Sequence, residues 1–598
     1  MTPNQLLERT HYCLDIARLD EHTLVTLAGW VRKRRDLGNL IFVDLYDRSG
    51  IAQVVFDPET NRELHAQASE LKHESVVTVR GMVRPRPAEA LNRDMSTGMV
   101  EVHADALTVH NTSKVPPFPL LGNQDVKEEL RLKYRYLDLR RSEMFRYVRI
   151  RHQTSQIVHA FLTRQGFLEI TTPHLIRSTP EGARDFLVPS RLHVGSCYAL
   201  QQSPQLFKQI SMIAGFDRYF QIVKCFRDED SRADRQPEFT QIDIEMSFTK
   251  KETLFGIQER LMKEIFSQVA GIDIPIPFER MTYAESMRRF GSDKPDLRFG
   301  LEIRDVTEVV GHTGFGIVDT VVASGGVVRA LRYEGGAVLS RKQVDELAGI
   351  VKKRGAGGLI ALKVAPDMSL AGHALEKFLD PERQARLIRA IEAAPGDLIC
   401  LVAGKESTAA WSLGDLRLHI ARVTDIVPDT LRFAWIVDFP MFEWDEESKR
   451  FQAMHHPFTA PLPDDLHDLE TDPGRMRAQA YDLVLNGVEI GGGSVRIHQP
   501  ELQTRLFQAM GISPEEAESR FGFFLEALRY GTPPHCGIAF GFDRLIMLLS
   551  GTDNLRDVIP FPKTLQAVCL MSQAPSPVTG DQLDMVGMRL RPDGQSST

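Results

Sequence analysis

Between Lys224 and Phe248 the chain reads KCFRDEDSRADRQPEFTQIDIEMSF, and the second half of that stretch admits few folds. Phe239, Gln241, Asp243, Glu245 and Ser247 alternate with Thr240, Ile242, Ile244, Met246 and Phe248. That is the period of a strand with one apolar face. Two acids and an amide then share the polar face. The first half is apolar up to Phe226 and breaks into Arg227-Asp228-Glu229-Asp230; a loop with Arg232, Arg235 and Pro237 leads back. The pattern predicts an antiparallel hairpin with a long charged loop, and it puts Arg227 where the first strand ends. An ordinary hairpin with a solvated loop fits this stretch equally well.

The rest of the chain has to decide. Its 598 residues are enough for several domains, and 42% apolar with 25% charged residues is ordinary for a water-soluble globular protein. A net charge of −8 argues against a uniformly basic surface but leaves room for a local basic patch. Cys13, Cys197, Cys225, Cys400, Cys536 and Cys569 form no CxxC pair, so neither a zinc site nor a disulfide framework is expected and a reducing cytoplasm fits. The start, MTPNQLLERTHYC, has no apolar signal core, and no run reaches the length of a membrane span.

Residues 24–110 read as short strands (LVTLAGWV, LIFVDLYD, IAQVVF, SVVTVRGMVR, MVEVHADALTVH) interrupted by one helical piece, Arg62 to Lys72. This is the make-up of a small closed barrel of the OB type. Arg32-Lys33-Arg34-Arg35 falls between the first two strands, with Phe42 on the next. A solvated charged face and a surface that stacks bases and holds phosphates both fit. NTSKVPPFPLL, Asn111 to Leu121, is an extended linker. A helix is predicted over Met144 to Gln165, stopped by Gly166, followed by a strand in FLEITTPHL broken at Pro173. STPEGARDFLVP suits a loop over a site, and in QQSPQLFKQ Gln205 and Lys208 occupy neighbouring positions of one helix face. From about Gly291 to Val423, glycine pairs and branched apolar residues mark a separate α+β module inserted into the main domain, with helical stretches near 341–353 and 379–394.

After the insert come AWIVDFPMFEWD, AMHHPFTAP, YDLVLNGVEIGGGSVRI and GIAFGFDRLIMLLSG. His455 and His456, adjacent on extended chain, point apart, so a single imidazole at a substrate or in the core is favoured over a metal pair. The glycine triplet inside a strand pattern predicts a bulge and a close backbone approach between Glu489 and Arg496. Arg544 falls in the first turn of a helix, where free amides already favour an anion; a local ion pair is the plain alternative. Residues beyond Ser572 read as a polar tail lacking order.

Taken in order, these motifs resemble the class II aminoacyl-tRNA synthetases, specifically the bacterial aspartyl type, over roughly residues 5–572. The helix before Gly166 to Pro173 is similar to motif 1, which in the family builds a homodimer interface; FRDEDSRADRQPEFTQIDIE resembles motif 2 and GIAFGFDR motif 3. STPEGARD resembles the family's flipping loop, and QSPQLFKQ, AMHHPFT and GGGSVRI complete the aspartate-type set. The fold implied is multidomain α+β: an N-terminal OB-fold β-barrel, a class II antiparallel sheet core with flanking helices, and an inserted α+β module of the bacterial type. The division implied is 1–112 for the barrel, 113–137 for a hinge, 138–290 and 424–571 for the catalytic domain, 291–423 for the insert and 572–598 for the tail.

The resemblance implies a cytoplasmic homodimer that joins L-aspartate to tRNA-Asp with ATP and Mg²⁺, with no DNA or membrane partner. It carries over residue by residue. By that resemblance Arg227 and Arg544 would be the catalytic cations, Arg227 on the α-phosphate and aspartate carboxylate and Arg544 on the γ-phosphate. Glu181, Gln205, Lys208, Arg227, Asp243, His455 and Arg496 would bind aspartate. Asp228, Glu229, Gln236, Glu489, Gly541, Phe542 and Asp543 would join the two arginines around ATP, and Asp482 with Glu489 would take the metal. Arg35, Leu37, Phe42, Gln53 and Glu101 would read the anticodon, which resolves the barrel in favour of RNA. Leu37 stands where many relatives that also charge tRNA-Asn have histidine, which favours tRNA-Asp alone, with an enzyme charging both as the alternative. Intact Arg227, Glu489 and Arg544 argue against a silent RNA-binding paralogue, and the barrel argues against an asparagine-forming ligase built on the same core.

Overall fold

The computed structural model of this chain describes residues 8–120, 125–179, 183–230 and 232–590. The chain divides into two compact units, Met1–Arg146 and Tyr147–Thr598.

The first unit is a closed barrel of strands β1 (Leu24–Leu37), β2 (Leu40–Tyr46), β3 (Ile51–Phe56), β4 (Val76–Pro85) and β5 (Val100–Asn111), in the order β1-β2-β3-β5-β4. Alternation builds it. On β2, Ile41, Val43 and Leu45 are buried and meet Val25, Leu27, Val54, Val79 and Val102 in the barrel core. Phe42 and Asp44 therefore point outward. Gly38 and Asn39 both have positive φ (59° and 69°) and form the tight turn between β1 and β2, the two-residue hairpin geometry that glycine and asparagine favour. Leu37 pairs with Leu40 at that tip.

The second unit is organised on an eight-stranded sheet. Its strands are β6 (Leu168–Glu169), β7 (Arg218–Phe226), β8 (Glu238–Ser247), β9 (Glu279–Thr282), β10 (Phe433–Val437), β11 (Ala480–Leu485), β12 (Val488–Val495) and β13 (His535–Gly541). The spatial order is β9-β10-β11-β12-β13-β8-β7-β6. The expectation of an antiparallel sheet holds for the middle, but β6 on β7 and β9 on β10 pair in parallel, so the sheet is mixed. Both parallel pairs sit at the edges, where very short strands limit the unpaired backbone. Helix α1 (Ser142–Arg164) precedes β6, and Gly166, at φ 79°, ends it. Helix α2 (Gln205–Ile213) and helix α3 (Lys251–Ile265) flank the sheet. Phe255 of α3 stacks on Trp435 at 4.0 Å between centroids, and the Trp435 indole N–H donates to Glu259 at 3.0 Å. Ala434 and Ile436, pointing the other way, join a core with Phe507, Phe521 and Phe524.

The inserted residues form their own five-stranded sheet, Arg304–Asp305, Val327–Tyr333, Leu398–Gly404, Ile360–Val364 and Leu370–Ala371 in spatial order. Apolar clusters form on Leu401 with Leu387 and on Cys400 with Leu413, which gives the module two cores. Two expectations change. Phe248 is not the last apolar strand residue: β8 ends at Ser247, and Phe248 has φ 53° and is 76% exposed. The tail is not without structure either, since Gly580–Met585 is a helix started by a Thr579–Gln582 capping box. Residues 591–598 lie outside the described part.

Candidate active site and nucleic-acid face

The polar face of β8 is the floor of the site, and it is buried. Asp243 and Glu245 are both 0% exposed, a position carboxylates take only when paired. Their partners come from elsewhere in the chain. Lys208 on α2 places Nζ 2.9 Å from Asp243 Oδ1 and 3.4 Å from Glu245 Oε2. Arg496, just past β12, grips Glu245 with Nε at 3.1 Å and Nη2 at 3.3 Å, and its Nη1 donates to Ser494 Oγ at 2.7 Å. Two cations and two anions thus close one buried cluster. The two acids respond in opposite directions. Burial pushes Asp243 above the usual carboxylate range despite Lys208, whereas Glu245, equally buried, is held below it by Arg496 and Lys208.

Around this cluster lie polar atoms without hydrogen-bond partners among the described residues. Asp243 Oδ2, Gln205 Nε2 and His456 Nε2 are buried and unbonded. His456 Nδ1 accepts the Phe458 N–H at 3.2 Å, so in the neutral ring Nε2 carries the proton and is a donor. His455 packs edge-on to Phe439 at 4.5 Å between centroids. Burial lowers it to about 4, so its imidazole is neutral near pH 7. Glu245 and His456 are members of this site that the sequence reading left out. Strand alternation from Asp243 pointed to the first; nothing in the adjacent pair singled out the second.

Next to the cluster is a cavity of about 250 Å³ lined by Arg227, Glu229, Gln236, Glu489, Gly541, Asp543 and Arg544, among others. Arg227 leaves the end of β7 and lies with its guanidinium 5.1 Å from the Phe239 ring centroid; its Nε is buried without a partner among the described residues. Arg544 enters from the first turn of helix α4 (Phe542–Ser550), and its Nη1 donates to the Glu489 carbonyl at 2.7 Å. Gln236 lines the wall, but its amide engages both backbone groups of Lys563, at 2.8 and 3.1 Å. Asp228 and Phe542 are not among the lining residues: Asp228 bonds its N–H to the Arg184 carbonyl at 3.0 Å, and Phe542 is 2% exposed. Glu181 lies outside the described residues.

The glycine triplet explains itself sterically. A Cβ on Gly493 would stand 2.0 Å from the Gly537 carbonyl oxygen, and one on Gly492 would stand 2.6 Å from Asp482 Oδ1 and 3.6 Å from Glu489 Oε1. Two carboxylates therefore converge over a bare backbone, and the ladder slips at Leu483/Val484 as a bulge. Burial, then Glu489 and Asp293, push Asp482 well above the usual carboxylate range. Such a pair favours either a proton or a cation between its oxygens. Among the described residues no group of three or more metal-ligating side chains forms, so the pair alone suits a hard cation that takes its other ligands from water or phosphate.

On the barrel, the outward residues form a chain of contacts. Arg35 donates to Asp44 at 2.5 Å and to Gln53 Oε1 at 3.1 Å; Gln53 Nε2 donates to Glu101 at 2.8 Å; Glu101 meets His103 at 2.9 Å. The Arg35 guanidinium is 6.0 Å from the Phe42 ring centroid. The network fixes the Gln53 amide by a donor on one side and an acceptor on the other. Leu37, at the hairpin tip, is 59% exposed and outside this network. Four of the five barrel residues singled out in the sequence are therefore joined.

Residues 127–565 match the family model of tRNA synthetases class II (D, K and N), and residues 25–109 match an OB-fold nucleic acid binding domain. A relative from Geobacillus sp. (strain WCH70), named aspartate–tRNA(Asp/Asn) ligase, is 52% identical over 96% of this chain and 97% of its own length. One from Ruminiclostridium cellulolyticum, named aspartate–tRNA ligase, is 49% identical over 97% of each chain. Among solved structures, the asparaginyl-tRNA synthetase of Pyrococcus horikoshii complexed with asparaginyl-adenylate aligns with TM-score 0.58 at 20% identity, covering 93% of this chain and 98% of that one. The aspartyl-tRNA synthetase of Entamoeba histolytica aligns with TM-score 0.57 at 20% identity, covering 93% and 92%.

Proposed function

The chain belongs to the class II tRNA synthetases of the D, K and N group, and from that membership we propose that it is an aspartate–tRNA ligase. The observation that carries this reading is the buried Lys208–Arg496 pair beside the Arg227–Arg544 cavity. It offers donors to a side-chain carboxylate next to cations for a triphosphate.

Aspartate's α-carboxylate is already ionised, so the first step needs charge neutralisation rather than a base. Its oxygen bonds to the α-phosphorus of ATP while the bond to the β-phosphate oxygen breaks and pyrophosphate leaves. Arg227 neutralises the α-phosphate and the attacking carboxylate, and Arg544 the γ-phosphate. Asp482 and Glu489 fit Mg²⁺, which when bound supplies further charge neutralisation to the phosphates. In the second step a ribose hydroxyl of the terminal tRNA adenosine attacks the acyl carbon and AMP leaves. In this reading Glu181 and Gln205 take the substrate's amino group, Lys208, Asp243 and Arg496 its side-chain end, and neutral His455 the carboxylate region. Asp228, Glu229, Gln236 and the Gly541–Arg544 turn on the nucleotide side, the domain division above, a homodimer and a cytoplasmic setting belong to the same reading. No helix among the described residues is long and apolar enough to cross a membrane. Labelled pyrophosphate should enter ATP with aspartate and with no other amino acid; exchange driven by another amino acid would reject the assignment.

The barrel would read the anticodon by stacking on Phe42 and by the Arg35–Gln53–Glu101 network. Phe42→Ala is expected to lower tRNA charging by roughly 1–3 kcal/mol of lost stacking and to leave pyrophosphate exchange intact. Equal loss in both assays would make Phe42 a structural residue.

The tRNA partner is read as tRNA-Asp. Leu37, exposed at the hairpin tip, offers a base only apolar bulk. A second reading, charging of tRNA-Asn as well, is favoured by the names of several relatives, aspartate–tRNA(Asp/Asn) ligases. With purified transcripts, tRNA-Asp should be charged at least about ten-fold more efficiently than tRNA-Asn, since a well-read base is worth about 1–3 kcal/mol. Leu37→His should narrow that gap. Comparable charging of the two transcripts by the unaltered enzyme would establish the second reading.

A further inference from the structure

The turn that delivers Arg544 is held by a residue that the family resemblance left without a role. Gln241 pairs with Gly541 as the last rung between β8 and β13. One residue further out, the Thr240 N–H donates to Asp543 Oδ2 at 2.7 Å instead. Asp543 Oδ1 accepts from Arg151 Nη1, and Arg151 Nη2 donates to Thr240 Oγ1 at 2.9 Å. The Arg151 guanidinium also lies 4.7 Å from the Phe542 ring centroid. One side chain of α1 thus clamps β8 and both residues immediately before Arg544. The Asp543 side chain is 4% exposed and that of Arg151 18%, so the ion pair is well shielded from water. Both Asp543 oxygens have internal partners, so the carboxylate is fixed in direction by β8 and α1.

We propose that Arg151, acting through Asp543, is a positioning residue that sets the aim of Arg544 at the phosphates in the activation step. This rests on the reading of the chain as an aspartate–tRNA ligase. The geometry asks for arginine specifically. A planar fork can bond Asp543 and Thr240 together while its face covers Phe542, and an ammonium group has no such face or fork.

The test separates the two half-reactions, because Arg544 is assigned to the leaving pyrophosphate and has no part in acyl transfer. Arg151→Ala should lower kcat of aspartate-dependent pyrophosphate exchange by about 10², the cost of misplacing a catalytic group by about an ångström. Arg151→Lys, which keeps the charge, should recover only part of that. The KM for aspartate should stay within about two-fold, since no aspartate contact changes. Single-turnover transfer of aspartate to tRNA, from adenylate formed slowly on the variant and isolated on it, should match the unaltered enzyme. The Arg151→Ala/Asp543→Ala double variant should be no worse in exchange than the worse single, the mark of two residues acting as one unit. Equal losses in exchange and transfer, or additive losses in the double variant, would overturn the proposal. So would a lowered melting temperature with full exchange activity per folded molecule. The unaltered enzyme is the shared reference: if it shows no aspartate-dependent exchange, the proposed function itself fails, whatever Arg151 does.

Discussion

Arg227→Ala is expected to remove nearly all aspartate-dependent pyrophosphate exchange, a fall of about 10²–10³ in kcat, in a protein that melts at close to its normal temperature. The side chain projects from the end of β7 into the cavity, and among the described residues no carboxylate pairs with its guanidinium. Its flat face rests on Phe239 at 5.1 Å, which fixes its direction without neutralising it. A preorganised cation of this kind supports charge that develops only as the α-phosphorus is attacked, so its loss falls on the rate rather than on the fold. Arg544→Ala should behave in the same way; its guanidinium bonds the Glu489 carbonyl and lies 3.7 Å from exposed Asp234. Exchange at near the unaltered rate in the Arg227 variant, with folding confirmed by circular dichroism, would take that arginine out of the mechanism.

The second large effect is rejection of asparagine. The family resemblance makes Lys208 and Arg496 two of the residues that would bind aspartate. In the structure each already has an acid, Asp243 and Glu245, so the pocket selects by hydrogen-bond direction as much as by net charge. Lys and Arg side chains only donate. A substrate carboxylate can accept from both, whereas the asparagine amide must turn its NH₂ toward one of them and leave that buried donor unsatisfied. With charged groups this mismatch costs about 2–5 kcal/mol, which is roughly 30-fold to several thousand-fold in kcat/KM for activation. Exchange measured with aspartate and with asparagine on one enzyme preparation reads it directly. A preference of only a few-fold would show that the side chain is bound elsewhere.

Strand periodicity, read one residue at a time, was enough to place β8, to orient Asp243 and Glu245 together, and to put Arg227 at the end of β7. It also separated Phe42 from Ile41 and Val43 on the barrel, because a buried interior forces inward and outward residues to alternate. The helix stopped by Gly166, the turn before Arg544 and the bulged glycine triplet were equally legible. Each is a local steric demand, met by a positive φ at Gly166 and by the Gly493 position that a Cβ could not share with the Gly537 carbonyl.

What alternation could not show was whether the polar face of β8 meets water or protein. A strand with Gln241, Asp243 and Glu245 on one side reads as half-solvated, yet Asp243 and Glu245 are fully buried. The reason lies 35 residues away for Lys208 and Asp243, and 251 residues away for Arg496 and Glu245. Only the sheet order, which sets β8 beside β13 and β13 beside β12, brings those cations over the acids. The same holds for Arg151, 392 residues from Asp543. Residue type and spacing along the chain therefore determined the strands, the turns and the positions of Arg227 and Arg544 at their ends, which depend on local sterics. Pairing across the sheet decided which charges are buried together, because a buried charge is stable only beside a partner, and the fold alone chooses that partner.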